Sequence, residues 1–249
     1  MAESYDLGRP GYPEELVEET VKMSGITRDG RILEIGCGTG QATRPFARRG
    51  YRMVCLEPGP HLARLARRNL ADFPAVAVRE ERLEDWPLEP QSFDLVLAAT
   101  SLHHVAPDYR YAKGAKALKT GGSLAVFANH PGQEDPGFRA ELDEIYLRWR
   151  GQEEAKHFAE QTLERRIKYT TDEIDQSGLF GGVETVQRPW TVEFDIPRYM
   201  AILDSDSGRL KHPPQSQEGL KRDIALAVTR RGGTVRRGYV AVLHLVRRR

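Results

Sequence analysis

The chain has 249 residues, 39% apolar and 29% charged, which suits one large globular domain or one domain with a sizeable insertion. Its 37 basic and 36 acidic side chains leave a net charge of +1, a balance that indicates no nucleic-acid and no membrane surface. The two cysteines, Cys37 and Cys55, are too few for a disulfide framework and have no Cys or His neighbour at metal-ligand spacing, so no metal is expected.

The opening residues MAESYDLGRPGYP have no apolar core of the kind a secretory leader carries. The longest apolar runs, 95–100 and 239–246, are strand-length, and the expectation is a cytoplasmic chain. Pro13-Glu14-Glu15 opens a helix through Leu16, Val17, Val21 and Met23 that closes near Gly25. Residues 31–35 read as an apolar strand running straight into glycines, 43–49 as a helix closed by Gly50, and 53–56 as a second strand ending on Glu57-Pro58-Gly59. Residues 62–70 form an amphipathic helix with arginines on its outer face. A third strand is expected at 75–78 and a fourth at 94–99, after the turn Glu89-Pro90-Gln91-Ser92. A helix at 109–118 stops at Gly121-Gly122, and 123–128 is a fifth strand. This alternation implies right-handed βαβ crossovers and a parallel sheet covered on both faces, with a ligand at the carboxyl ends of the strands beside the topological switch point.

The second half breaks the rhythm. An amphipathic helix at 137–150 carries Phe138, Leu142, Ile145, Tyr146 and Trp149. A polar helical stretch follows around 153–166, then a strand at 183–194 and a helix at 197–203. A loop at 204–216, rich in Ser, Asp and Pro, is the segment expected to move. A helix at 217–231 and a strand at 239–246 end the chain.

The glycine turn is the most informative element. Glycines at 36, 38 and 40 let the chain turn sharply and let backbone approach a ligand where a Cβ would clash. Glu34 offers a carboxylate to a cationic or amine-bearing group, and Glu57, 21 residues after Gly36, is placed to accept both hydroxyls of a ribose. The spacing is E-x-G-x-G-x-G, with Gln41 after the last glycine. It is not the dinucleotide G-x-G-x-x-G, and no phosphate-loop lysine is present. A ribose without a phosphate fits this pattern, as in S-adenosylmethionine.

Ile32-Leu33-Glu34-Ile35-Gly36-Cys37-Gly38-Thr39-Gly40 resembles the first motif of class I S-adenosylmethionine-dependent methyltransferases. Leu56-Glu57-Pro58-Gly59 resembles their second motif, Ser92-Phe93-Asp94-Leu95-Val96 their fourth strand, and Leu118-Lys119-Thr120-Gly121-Gly122 the turn before the fifth. Arg9-Pro10-Gly11-Tyr12-Pro13 is similar to the opening of a small-molecule subgroup, methyltransferase type 11, that includes trans-aconitate methyltransferase. The resemblance covers about residues 5–130. It implies a Rossmann-like α/β fold with a mostly parallel seven-stranded sheet, helices on both faces and a helical cap. The whole chain is then one methyltransferase domain: an N-terminal lid helix at 1–30, a cofactor-binding core at 31–130, a helical cap at 131–182, and strands and helices completing the sheet at 183–249. It also implies donor contacts from Arg9, Tyr12, Glu34, Gly36, Cys37, Gly38, Gly40, Gln41, Glu57, Pro58 and Ala99, with S-adenosylhomocysteine as product and a monomer or homodimer as the working state. Tyr5, Arg9 and Tyr12 would fold over the cofactor.

One position departs from the family. An Asp often bonds the adenine amine where this chain has Arg82, which has no acceptor to offer. Leu83, through its N–H, and Glu84 are the replacements expected. On the acceptor side, 98–105 lies beside the donor in this fold. His103 and Tyr12 are the candidate catalytic groups, since histidine takes a proton near neutral pH. Methyl transfer is chiefly alignment of donor and acceptor, so a missing base does not argue against it. Asn129 and His130 also face the site by resemblance. Trp149, Tyr169, Trp190, Tyr199 and Met200 are core or pocket residues, and Arg139, Arg148 and Arg150 are candidates to hold an acidic acceptor. The expected function is therefore methylation of a small-molecule O or N acceptor, a carboxylate among them. The alternative is a catalytically silent S-adenosylmethionine-binding sensor or scaffold. A nicotinamide oxidoreductase is disfavoured by the glycine spacing. Tyr109 and Lys113 have Tyr-x-x-x-Lys spacing but lie on the helix after the fourth strand. An RNA methyltransferase lacks its usual motifs here, the terminal Arg247-Arg248-Arg249 being too short to count.

Overall fold

The computed structural model describes residues 2–133, 135–151, 162–206, 208 and 211–249. Its chain order is α1 (Ala2–Gly8), α2 (Glu14–Ser24), β1 (Arg31–Ile35), α3 (Thr43–Arg48), β2 (Arg52–Leu56), α4 (Pro60–Asn69), β3 (Val76–Arg79), β4 (Phe93–Ala99), a 3-10 turn (Leu102–His104), α5 (Pro107–Arg110), α6 (Ala112–Ala117), β5 (Leu118–Pro131), α7 (Pro136–Arg150), α8 (Leu163–Gln176), β6 (Glu184–Asp195), α9 (Ile196–Ser205), α10 (Pro214–Thr229) and β7 (Thr234–Arg247).

The short runs of β1, β2 and β4 are buried almost without alternation, as strands covered on both faces must be. They pair in parallel in the order β3-β2-β1-β4-β5, and β7 and then β6 complete a seven-stranded sheet. β7 runs against β5: the N–H of Arg248 reaches the Gly122 carbonyl at one end, and that of Gly132 reaches the Gly238 carbonyl at the other. The chain moves outward from β1 to β3 and then returns to place β4 on the other side of β1. The switch point therefore lies between β1 and β4.

The helices follow local signals. Gly25 closes α2 at φ +66° with its N–H on the Val21 carbonyl. Pro60 opens α4, which buries Ala63, Leu65 and Ala66 and leaves Arg64, Arg67 and Arg68 outside. The helix expected at 109–118 is broken into α5 and α6 at Tyr111. That ring is buried, and its hydroxyl reaches Glu173 at 3.3 Å.

The chain divides into two compact units. One comprises Gly11–His130, Ile167–Arg188 and Val240–Arg249. Its core packs Leu33, Ile35, Val54, Leu56, Val96 and Val126 of the sheet with Trp86, Ile174 and Phe180. Ile174 and Phe180 bring the end of α8 and the segment after it into this core. At the chain end, Arg247 donates to the carbonyls of Met23 (2.8 Å) and Ser24, and Arg248 to that of Leu118. The other unit comprises Met1–Pro10, Pro131–Arg166 and Pro189–Tyr239. Phe138, Tyr199 and Phe194 meet edge to face at its centre, beside Leu142, Leu220 and Ile224. Asp135 and Asp195 cap α7 and α9, accepting the N–H groups of Phe138 and Arg198. Here Arg139 pairs with Asp143 and Arg148 with Asp223, so both cations are already engaged. Most of the polar stretch at 153–166 and part of the loop at 204–216 lie outside the described residues. The described end of that loop already belongs to α10.

Candidate active site

β1 delivers Glu34 and the glycine turn to the switch point. Gly36, Gly38 and Gly40 all have positive φ (+68°, +59° and +95°), which side-chain-bearing residues rarely adopt. Gly36 meets a second demand: a Cβ there would lie 2.6 Å from the Ser101 Cβ. Ser101 belongs to the exit of β4, and its hydroxyl donates to the Ile35 carbonyl. The two chain segments that leave the switch point are thus packed on each other.

Glu34 is wholly buried beneath the turn. Its Oε2 accepts from the Thr43 hydroxyl at 2.7 Å and lies 3.7 Å from the Cys55 thiol. Its Oε1 has no hydrogen-bond partner among the described residues. Burial lifts the carboxyl to about 7 against the opposing Thr43 and Cys55 bonds, with Glu57 adding a small repulsion. Thr39 Oγ1 and Gln41 Nε2 are likewise buried without partners among the described residues. Such unsatisfied atoms gathered at one turn are the mark of a site that expects polar ligand groups.

Glu57 stands at the end of β2, 6% exposed. Its Oε2 accepts the Gly38 N–H at 2.9 Å and its Oε1 the Gly59 N–H at 2.8 Å. The carboxylate therefore ties the second strand to the glycine turn, and each oxygen keeps a lone pair for a ligand hydroxyl. Burial raises its pKa, although the two backbone bonds and the nearby His104 oppose this. Cys37 is buried in the turn, its N–H on the Leu56 carbonyl. Pro58 follows Glu57 into the start of α4.

Leu83 is buried in the sheet core. Glu84 is not a free acceptor: its Oε1 takes the Ala106 N–H at 2.9 Å and the Arg82 guanidinium at 3.3 Å, and its carbonyl takes Lys113. Burial alone would raise this carboxyl, but the Ala106 and Arg82 bonds hold it below its usual range. Glu84 thus braces the segment that follows His103 and His104. Those two rings lie 4.0 Å apart on the 3-10 turn. Partial burial, His104 and Arg110 lower the His103 pKa and favour its neutral, proton-accepting form.

Ala99 ends β4. The next residue, Thr100, shares a 2.8 Å hydrogen bond with the Tyr12 hydroxyl, and the Tyr12 ring meets Phe127 edge-on at 5.3 Å. The Asn129 side chain donates to the Gly11 carbonyl at 2.8 Å. Tyr12 is therefore brought together with the ends of β4 and β5. Arg9 lies in the other compact unit, where its Nε donates to Ser205 at 3.0 Å and its guanidinium sits over Tyr5. The Thr100 pairing and the bracing role of Glu84 went unread in the sequence. A Thr and a Glu carry no motif of their own, and both roles depend on partners 88 and 22 residues distant. Among the described residues no group of three His, Cys, Asp or Glu side chains could hold a metal ion, and no helix is long and apolar enough to cross a membrane.

Residues 32–122 match the family described as a methyltransferase domain. An uncharacterized methyltransferase of Mycobacterium tuberculosis is 32% identical over 142 residues, 57% of this chain and 55% of that one. The ubiquinone biosynthesis O-methyltransferase of Methylocella silvestris is 31% identical over 131 residues, 48% of this chain and 51% of that one. The chain spans about half the length of these curated relatives. Among solved structures, a protein of Anaeromyxobacter dehalogenans assigned as a type II methyltransferase superposes with a TM-score of 0.68 at 20% identity, over 96% of this chain and 97% of that one. Haemonchus contortus phosphoethanolamine N-methyltransferase 2, solved with phosphomonomethylethanolamine and S-adenosylhomocysteine, superposes with a TM-score of 0.55 at 17% identity, over 99% of this chain and 56% of that one. At these identities the structural likeness speaks to the fold. The family match is to the domain as a whole and does not single out the trans-aconitate subgroup.

Proposed function

We propose that this chain, whose residues 32–122 match a methyltransferase domain, is a class I enzyme that transfers a methyl group from S-adenosylmethionine to a small-molecule acceptor. The observation that carries this reading is the link between Glu57 and the Gly38 N–H at the β1–β4 switch point, beside the unpartnered Oε1 of Glu34. When bound, S-adenosylmethionine supplies an activated, electrophilic methyl group.

The residues fit that donor. Glu57 retains lone pairs for the ribose hydroxyls, and its backbone bonds hold it in place for them. Glu34 Oε1 would find its missing donor in the amino group of the methionine end, directly or through a water. The positive-φ glycines bring backbone close to the ligand. Leu83 supplies an apolar wall and a backbone N–H for the adenine, while Glu84 acts by bracing rather than by contact. Neutral His103 accepts a proton from an amine or phenol acceptor, and Tyr12 both contacts the donor with its phenol and orients the acceptor. A carboxylate acceptor needs no base. In this reading the chain works in the cytoplasm as a monomer or homodimer.

Calorimetric titration with S-adenosylmethionine, S-adenosylhomocysteine and NAD tests the donor. The two adenosyl ligands should bind, and tighter NAD binding would overturn the reading. Glu57→Ala removes two charge-assisted hydrogen bonds to the ligand and should weaken S-adenosylmethionine binding roughly a hundredfold. A panel of carboxylic acids, phenols and amines, scored by S-adenosylhomocysteine release, then finds the acceptor class. Firm donor binding with silence across the panel would favour a sensor.

A further inference from the structure

Thr100 is the one residue at the switch point whose backbone contradicts its side chain. It sits at φ +55°. The left-handed region is costly for any residue with a Cβ, and for a β-branched one it is an outlier. A chain that needed only to turn out of β4 would use Gly, as β1 does at Gly36. The turn itself is built from other groups. The Thr100 N–H is held by the Phe127 carbonyl at 2.9 Å, the Ser101 hydroxyl by the Ile35 carbonyl, and the His104 N–H by the Ser101 carbonyl at 3.0 Å. None of these bonds uses the threonine side chain. That side chain makes a different contact, its hydroxyl meeting the Tyr12 phenol at 2.8 Å.

Tyr12 is fixed from two further directions. Its ring packs edge-on against Phe127, and the carbonyl of Gly11 before it is held by Asn129. Phe127 stands opposite Ala99 in the β4–β5 ladder, so all three anchors gather at the carboxyl ends of these two strands. From this we infer that Thr100 is a positioning residue: it keeps a strained backbone because its hydroxyl sets the Tyr12 phenol at the carboxyl end of β4, where the phenol completes the donor site. The inference rests on the reading of that site given above and goes beyond it by naming a residue that acts through Tyr12.

Four variants of the full chain test it, each titrated with S-adenosylmethionine and with S-adenosylhomocysteine and each melted thermally. Thr100→Val keeps the branch and loses the hydroxyl, Thr100→Gly loses both, Thr100→Ser keeps the hydroxyl, and Tyr12→Phe removes its partner. Loss of one hydrogen bond should weaken both ligands about fivefold in Thr100→Val, Thr100→Gly and Tyr12→Phe, with Thr100→Ser restoring affinity. Thr100→Gly should melt at or above the parent, because it relieves the backbone, and still bind weakly. A residue of merely structural importance would not separate stability from binding in this way. The double variant of Thr100→Val and Tyr12→Phe should bind no worse than Tyr12→Phe alone. Parent-like affinity in Thr100→Val and Thr100→Gly, with the parent chain binding S-adenosylmethionine, overturns the inference. A parent chain that binds neither adenosyl ligand overturns the donor reading, and this inference falls with it.

Discussion

Two glycines, Gly36 in the turn after β1 and Gly219 in α10, both let another residue come close, and they do so for different reasons. Gly36 has a left-handed backbone and admits the Ser101 side chain. Gly219 has ordinary helical geometry and admits the Trp149 ring of α7. Around Gly36 the site is made of main chain and two carboxylates. Around Gly219 the helix pair is made of side chains: the Trp149 indole donates to Asp223 at 2.8 Å, Ser216 donates to the Trp149 carbonyl at 2.5 Å, and Glu141 holds Arg230 and Arg231. A region built from backbone conformation leaves a spacing in the sequence. A region built from side-chain fit leaves only an amphipathic pattern.

Substitutions can break this contrast. The largest effect is expected at Gly36→Ala, where overpacking against Ser101 and the left-handed backbone add to about 4 kcal/mol of destabilisation. S-adenosylmethionine binding should vanish in titrations run where the variant is still folded. A loss near 1 kcal/mol with binding kept would mean that the turn is more pliable than its packing implies.

Glu34→Gln is expected to act next most strongly, and in the opposite direction. The folded carboxyl titrates near 7 rather than at its ordinary 4.5. The folded chain therefore holds a proton that the unfolded chain releases. This contribution favours folding at low pH, is lost as pH rises from about 4.5 to about 7, and is flat above. Gln keeps an acceptor for Thr43 and does not ionise. The variant should gain at most about 3 kcal/mol over the parent above pH 7 and no advantage near pH 4, by chemical denaturation at several pH values. A pH-independent difference would show that Glu34 ionises without cost. A stabilised variant that binds the donor poorly would mark Glu34 as retained for function at the expense of stability.

The smallest effect belongs to the side-chain region. Gly219→Ala gains helix propensity but crowds Trp149, with a net cost of about 1–2 kcal/mol and donor affinity unchanged. If this variant lost donor affinity as severely as Gly36→Ala, the two regions would not be separable in the way proposed.

The legible parts of the molecule follow the same division. The strand-and-helix rhythm from β1 to β5, the three glycines and the placing of Glu57 at the end of β2 could all be read, because each is dictated locally. Tyr111 could not be anticipated as a helix breaker, since it is the distant Glu173 and the core that draw it inward. Glu84 could be placed near the site but not given its task, which depends on the Ala106 N–H 22 residues away. Arg82, read from the sequence only as a departure from the family's pattern, proves to be a second partner of that same carboxylate. Thr100 was invisible because its distinguishing feature is a dihedral angle.

The strand order carries one more consequence, for how the protein is made. β7 is the last strand in the chain, yet it lies between β5 and β6. On the ribosome, β5 is complete long before its neighbour exists. Its apolar stretch from Ser123 to Phe127, fully buried in the finished sheet, must wait with one edge unpaired. Refolding from denaturant faces the same delay, since the sheet closes only through pairing across more than a hundred residues. The nascent chain is thus most exposed to strand-edge aggregation in the interval before β7 emerges, and a holdase that shields β5 should raise the yield more than one that acts on the glycine turn.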